Sequence, residues 1–180
     1  SEGMKMGLYY SGGLDWSFQP GPIRTMGDLM KNVPQTEAYA RYADAHWREL
    51  IARYQPDVLW NDINYPKNGD LPGVFSEYFN TVKDGLVNNR FGSAFSDFTT
   101  PEYARYDKIT QQKWESCRGL GFSFGYNRAE GPQHVLPADE LIDMFVDIVS
   151  KNGNLLLNVG PKPDGTISQM QIDRLNALGK

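Results

Sequence analysis

Three short apolar runs, MKMGLYY (4–10), DVLWN (57–61) and NLLLNVG (154–160), are separated by long segments of helical period, and this alternation restricts what the chain can fold into. A run of that length without strict polar alternation reads as a strand buried on both faces, as in a parallel sheet. Parallel neighbours need a crossover, and the segments between the runs supply one. Over 34–54, Tyr39, Ala43, Trp47, Leu50, Ile51 and Tyr54 recur at 3.6-residue spacing with Pro34 at the start, which predicts a long helix. Gln55-Pro56 ends it, because the residue before a proline is pushed out of the α region. A second helix is expected over 72–82, a turn at Asp84-Gly85, and a strand over LVNNRF (86–91). A short helical stretch around Trp114 and a strand over GFSFGYN (121–127) follow. The clearest helix covers 138–151, with Leu141, Phe145, Ile148 and Val149 on one face and Asn152-Gly153 as its stop. After the run at 154–160, Pro163-Asp164-Gly165 turns the chain into a last helix over 168–178.

Strand and helix in alternation leave two α/β architectures, a doubly wound sheet or a (β/α) TIM-like barrel with crossover helices. The glycines of GLGFSFG lack the GxGxxG spacing of a dinucleotide loop. Asp62, Arg90, Asn127 and Asn158 stand at or just beyond the C-terminal ends of expected strands, the rim on which barrel enzymes place their chemistry. The barrel is therefore the reading taken, with residues 1–180 as one catalytic-type domain. A full barrel takes about 250 residues and eight strands, so a chain with about five strand candidates would be a partial one. Asp62 follows VLWN and has two readings at this point, a carboxylate presented at the rim or the N-cap of the next helix.

Composition narrows the function. A net charge of −4 and no clustered basic face argue against nucleic acid or anionic lipid as the main partner. No apolar run approaches the roughly 20 residues of a membrane span, and SEGMKMGLYY lacks the apolar core of a signal peptide. Cys117 is the single cysteine, and His46 and His134 lie far apart without metal-ligand spacing. No metal and no cofactor is expected. The 4 Trp, 10 Tyr and 9 Phe often adjoin Asp, Asn, Arg or Gly. That mixture suits a sugar site, where rings cover C–H faces and planar polar groups read hydroxyls; the same rings also serve as ordinary core.

Five blocks, MKMGLYYSGGLDWSF, YQPDVLWNDINYP, NNRFGSAFSDFTTPEY, KWESCRGLGFSFGYNR and VSKNGNLLLNVGPKPDGTI, resemble successive motifs of the α-L-fucosidases of glycoside hydrolase family 29, in the family's order. The resemblance implies a retaining exo-hydrolase that removes terminal α-L-fucose from glycans, with a (β/α) barrel and no cofactor. It implies Asp62 of LWND as nucleophile, Trp60 and Arg90 in the fucose pocket, and Glu102 of TTPEY as acid/base. Glu115 of KWES is the rival, since acid/base positions differ among branches of the family; its other reading is a carboxylate on a helix surface. Tyr9, Tyr10, Trp16 and Tyr126 in the first and fourth blocks are further substrate-binding candidates. Retention calls for two carboxyl groups about 5–5.5 Å apart. In a loop of small and aromatic residues, Glu102 would be buried enough to hold its proton.

The family's N-terminal strands, with a His-His-Asp-Gly-Phe motif whose histidines bind fucose, have no counterpart in this sequence. The chain therefore reads as the C-terminal half of the barrel, completed by a second copy or by a complementing N-terminal segment. A second function stays open, an inactive or weakly active remnant that keeps sugar contacts without turnover. No compartment follows from the sequence.

Overall fold

A computed structural model describes residues 3–180. These divide into two compact units, the first ending at Thr99 and the second covering Thr100–Lys180. In the first unit, strands β1 (Gly7–Tyr10), β2 (Val58–Asn61) and β3 (Leu86–Val87) form a parallel sheet in the order β1-β2-β3. Helices α1 (Met26–Lys31) and α2 (Glu37–Tyr54) carry the chain from β1 to β2, and α3 (Leu71–Thr81) carries it from β2 to β3. In the second unit, β4 (Trp114–Gly119) pairs in parallel with β5 (Gly153–Asn158) through the crossover helix α4 (Ala138–Ser150), and α5 (Gln169–Leu178) ends the chain. The expected α/β class with parallel strands holds. The sheets are three- and two-stranded.

The α2 stripe forms as its spacing requires. Thr36 Oγ1 accepts the Tyr39 N–H at 3.2 Å, and Tyr39, Ala43, Trp47 and Ile51 are buried. They meet Leu59 of β2 and Val74 and Tyr78 of α3 in one core. The fully enclosed Trp47 is the kind of residue whose loss to Ala costs about 3–5 kcal/mol. Gln55 is left-handed at φ 45° and Pro56 follows, so the helix stops where the sequence requires.

Four expectations are corrected and one element is added. The segment 86–91 is a strand only at Leu86–Val87 and then tightens into a 3-10 turn, Asn89–Phe91. The stretch around Trp114 is strand β4 and not a helix. GFSFGYN forms bends and irregular backbone, in which the Glu130 carboxylate accepts the Phe122 and Ser123 N–H groups at 3.0 and 2.8 Å. Ahead of α2 there is an additional short helix, α1, held by a reciprocal cap: Asp28 N–H to Thr25 Oγ1 at 3.1 Å and Thr25 N–H to Asp28 Oδ2 at 3.0 Å. In α4 the buried stripe is Leu141, Met144 and Ile148, while Phe145 and Val149 lie on an exposed side.

Candidate active site

Strand periodicity sorts the residues of β1 and β2 onto two faces. Tyr9 pairs in register with Trp60, and Tyr10 with Asn61. Leu59 and Asn61 are fully buried on the helix side. Trp60 and Asp62, one step out of phase, therefore belong with Tyr9 on the other face. Their rings stack at 5.6 Å and 26°, and the Arg90 guanidinium lies 4.6 Å from the centre of the Trp60 ring.

Asp62 stands one residue beyond β2 with donors on both oxygens. Oδ1 accepts from Arg90 Nη1 at 2.9 Å and from the Ile63 N–H at 2.9 Å. Oδ2 accepts from the Tyr9 hydroxyl at 2.8 Å. Only donors face it among these contacts, which is what an anionic carboxylate needs. The side chains of Arg90 and Asp62 are 19% and 20% exposed, so the pair is mostly withdrawn from solvent and interacts more strongly than a surface ion pair. Burial, then the hydrogen bond to Asp62, pushes the Tyr9 hydroxyl up to about 12.

The chain leaves Asp62 in an unusual backbone. Ile63 and Asn64 both have positive φ, 58° and 68°, a costly conformation for a β-branched residue. Gly13 makes room for it: a Cβ there would lie 1.7 Å from the Ile63 carbonyl oxygen. The buried Asn61 side chain faces the same turn, its Nδ2 directed at the carbonyls of Asp62 (3.3 Å), Asn64 (2.8 Å) and Arg90 (3.1 Å). Asn88, also buried, holds the Asn61 backbone with both ends of its amide, at 3.1 Å to the N–H and 2.9 Å to the carbonyl.

In the first unit, then, the structure brings together Tyr9, Trp60, Asp62 and Arg90. Tyr10 does not join them: its ring packs edge-on against Trp47 of α2 and its hydroxyl meets His46 Nδ1 at 3.0 Å. Trp16 lies in the turn after Asp15 and is 89% exposed. In the second unit Glu102 is docked beside the middle of β4 by bonds from Cys117 N–H to Pro101 O and from Tyr103 N–H to Cys117 O, both 3.0 Å. Its side chain is exposed, so residues of this unit do not supply the burial expected for it. Glu115 sits on β4, not on a helix, near the strand's N-terminal end, where it accepts from Asn154 at 2.7 Å. That is the end opposite the rim at which barrel chemistry is placed. Tyr126 is exposed on an irregular segment whose backbone closely approaches Gly160. His134 caps a 3-10 turn, accepting the Gly131 N–H at 2.9 Å.

Residues 1–180 match the family profile described as Alpha-L-fucosidase. The chain belongs to the alpha-L-fucosidase family. An alpha-L-fucosidase of Dictyostelium discoideum is 32% identical over 191 residues, which cover 98% of this chain and 40% of that protein. The Thermotoga maritima alpha-fucosidase crystallised with fucose is 50% identical with a TM-score of 0.91, over 98% of this chain and 41% of that one. Alpha-L-fucosidase isoenzyme 1 from Paenibacillus thiaminolyticus is similar at 28% identity and a TM-score of 0.83, over 99% and 48%. The chain thus spans about 40% of the length of the first of these fucosidases. The sequence reading named the four clustered residues but missed Asn61 and Asn88. Their signal was in the sequence: a carboxamide at the end of each of two apolar runs, LWN and LVN.

Proposed function

We propose that the chain carries α-L-fucosidase chemistry, hydrolysing terminal α-L-fucosides of glycans with retention and without a cofactor. Asp62 attacks the anomeric carbon as the glycosidic bond breaks, giving a covalent fucosyl ester. Glu102 gives its proton to the leaving oxygen and later takes one from the water that cleaves the ester. Trp60 and Tyr9 offer ring faces to the sugar's C–H surface and Arg90 offers donors to its hydroxyls. The two units are read as parts of one (β/α) barrel domain, completed by a second copy or a complementing segment.

The observation that supports this most is the cradle of Asp62: one carboxylate at a strand end, held by Tyr9, Arg90 and the Ile63 N–H beside the Trp60 ring. A helix-capping role would have it bonded to the first turn of α3, but that cap is Asp70, which accepts the Gly73 N–H at 3.1 Å. Hydrolysis of an aryl α-L-fucoside by homogeneous protein, with the first-formed anomer read by NMR, tests the proposal. Release of α-L-fucose supports it. Release of the β anomer contradicts retention, and saturable fucose binding with no hydrolysis favours the sugar-binding remnant.

A further inference from the structure

We infer that Asn61 is a positioning residue whose side-chain amide locks Asp62 and Arg90 into a single register. This rests on the reading of Asp62 as the nucleophile. The two members of the ion pair come from separate strands' ends, 28 residues apart, and each lies in irregular backbone: Asp62 precedes two left-handed residues, and Arg90 sits in the 3-10 turn. The Asp62 N–H still donates to Tyr10 O of β1 at 3.0 Å, but no ladder bond runs from Asp62 to the Arg90 turn. What joins them is the Asn61 amide, whose nitrogen faces the carbonyls of Asp62, Asn64 and Arg90. With two hydrogens and three acceptors, the amide shares at least one proton, and only a donor group fits there. Its fully buried site makes each of these bonds costly to lose.

The anchor is itself anchored. Asn88 binds the Asn61 N–H and carbonyl, taking the place of ladder bonds that end when β3 stops at Val87. On the other side of the amide, Gly12 leaves no bulk: a Cβ there would come within 2.3 Å of Asn61 Oδ1. The left-handed Ile63 conformation is the kind of strain that persists only when neighbours over-determine it, and the Asn61 fan provides that constraint from beneath. Asn61 does not face the Trp60–Tyr9 side, so it acts through the ion pair and not on the sugar.

The test uses the whole chain. Side-chain proton exchange is followed by NMR for the Arg90 guanidinium and the Asn61 Nδ2 protons, with the 73% exposed Arg41 as reference. In the unaltered chain both groups are expected to exchange at least ~10-fold more slowly than an exposed reference, as bonded and buried protons do. Fast exchange at Asn61 alongside slow exchange at Arg90 would overturn the proposal without any variant. In Asn61→Ala, cooperative unfolding with loss of Arg90 protection is the expected result, with kcat on an aryl fucoside down about 10- to 100-fold and KM within about threefold, since misplacing a reacting group by 1 Å costs about that much. Arg90 protection retained in a folded Asn61→Ala chain sinks the tether while leaving the nucleophile reading intact. Undiminished activity in Asp62→Gly would sink the nucleophile reading while the exchange result still decides the tether. Asn61→Ser, which keeps one donor, is expected to fall between the two.

Discussion

The Tyr9 hydroxyl donates to Asp62 Oδ2 at 2.8 Å, across a strand pair in which Tyr9 sits in register not with Asp62 but with Trp60. The long Tyr side chain reaches two residues further along the same face, to the carboxylate beyond the strand end. Asp62 is thereby held from two directions, by Tyr9 on Oδ2 and by Arg90 on Oδ1.

Tyr9→Phe removes one of these holds and keeps the ring that stacks on Trp60. A hydrogen bond to a charged acceptor contributes about 1.5–3 kcal/mol, and the partly exposed position places this one at the lower end. The expected loss is about tenfold in kcat/KM for an aryl α-L-fucoside, with the chain still folded. An unaltered rate constant would show that Tyr9 does not orient Asp62.

Glu102→Gln is expected to slow substrates with poor leaving groups by orders of magnitude and aryl fucosides with good ones little, because only the former need the proton in the transition state. Glu115→Gln, at the far end of β4 and bonded to Asn154, is expected to show no such dependence. The opposite pattern would exchange the two assignments.

Four tyrosines of the first unit resist ionisation, in each case chiefly through burial. Tyr39 and Tyr78 are pushed up to about 12, and Tyr10 and Tyr65 are also raised, Tyr65 by its bond to Asp44 as well. Unfolded tyrosines ionise near pH 10. Above that pH the unfolded chain holds fewer protons than the folded one, so stability is intact below about pH 10 and falls as pH rises toward about 12. Denaturant midpoints measured at successive alkaline pH values should decline over this window, with phenolate absorbance rising together with unfolding. Ionisation of Tyr39 or Tyr78 near pH 10 in folded protein, followed by residue-specific NMR, would contradict the burial described.

β1 is the outermost strand of its sheet, and Met4 and Met6 just before it are exposed. An unpaired edge beside apolar side chains invites another chain. Light scattering coupled to size exclusion is expected to give an oligomer, most simply a dimer. A monodisperse 20.4 kDa species that unfolds cooperatively would contradict this expectation.

Much of this molecule was legible in its residues, and the misses have physical causes. The apolar period of α2 and the buried run at β2 admit one reading each, so both were placed well, and with β2 came Trp60 and Asp62. β4 was hidden because Glu115 and Arg118 interrupt WESCRG with charge, although Trp114, Ser116 and Cys117 are buried. GFSFGYN misled in the other direction: its aromatics favour a strand, but its glycines and the Glu130 carboxylate impose bends. At LVNNRF the ladder ends because Asn88 spends its side chain on Asn61, a long-range choice invisible to local pattern. Tyr10 was grouped with Tyr9 by adjacency, whereas strand alternation puts them on opposite faces.

The account turns on Asp62 as the attacking group, and the most direct measurement is turnover of an aryl α-L-fucoside by Asp62→Gly with and without azide. Without azide the rate is expected to fall by at least about a thousandfold, as when a nucleophile is removed from a working site. With azide, which attacks the anomeric carbon from the vacated side while the aryl oxygen departs, part of the rate should return and the product should be β-L-fucosyl azide. Full activity in Asp62→Gly, or a lost activity that azide restores with an α-configured product, would contradict the assignment.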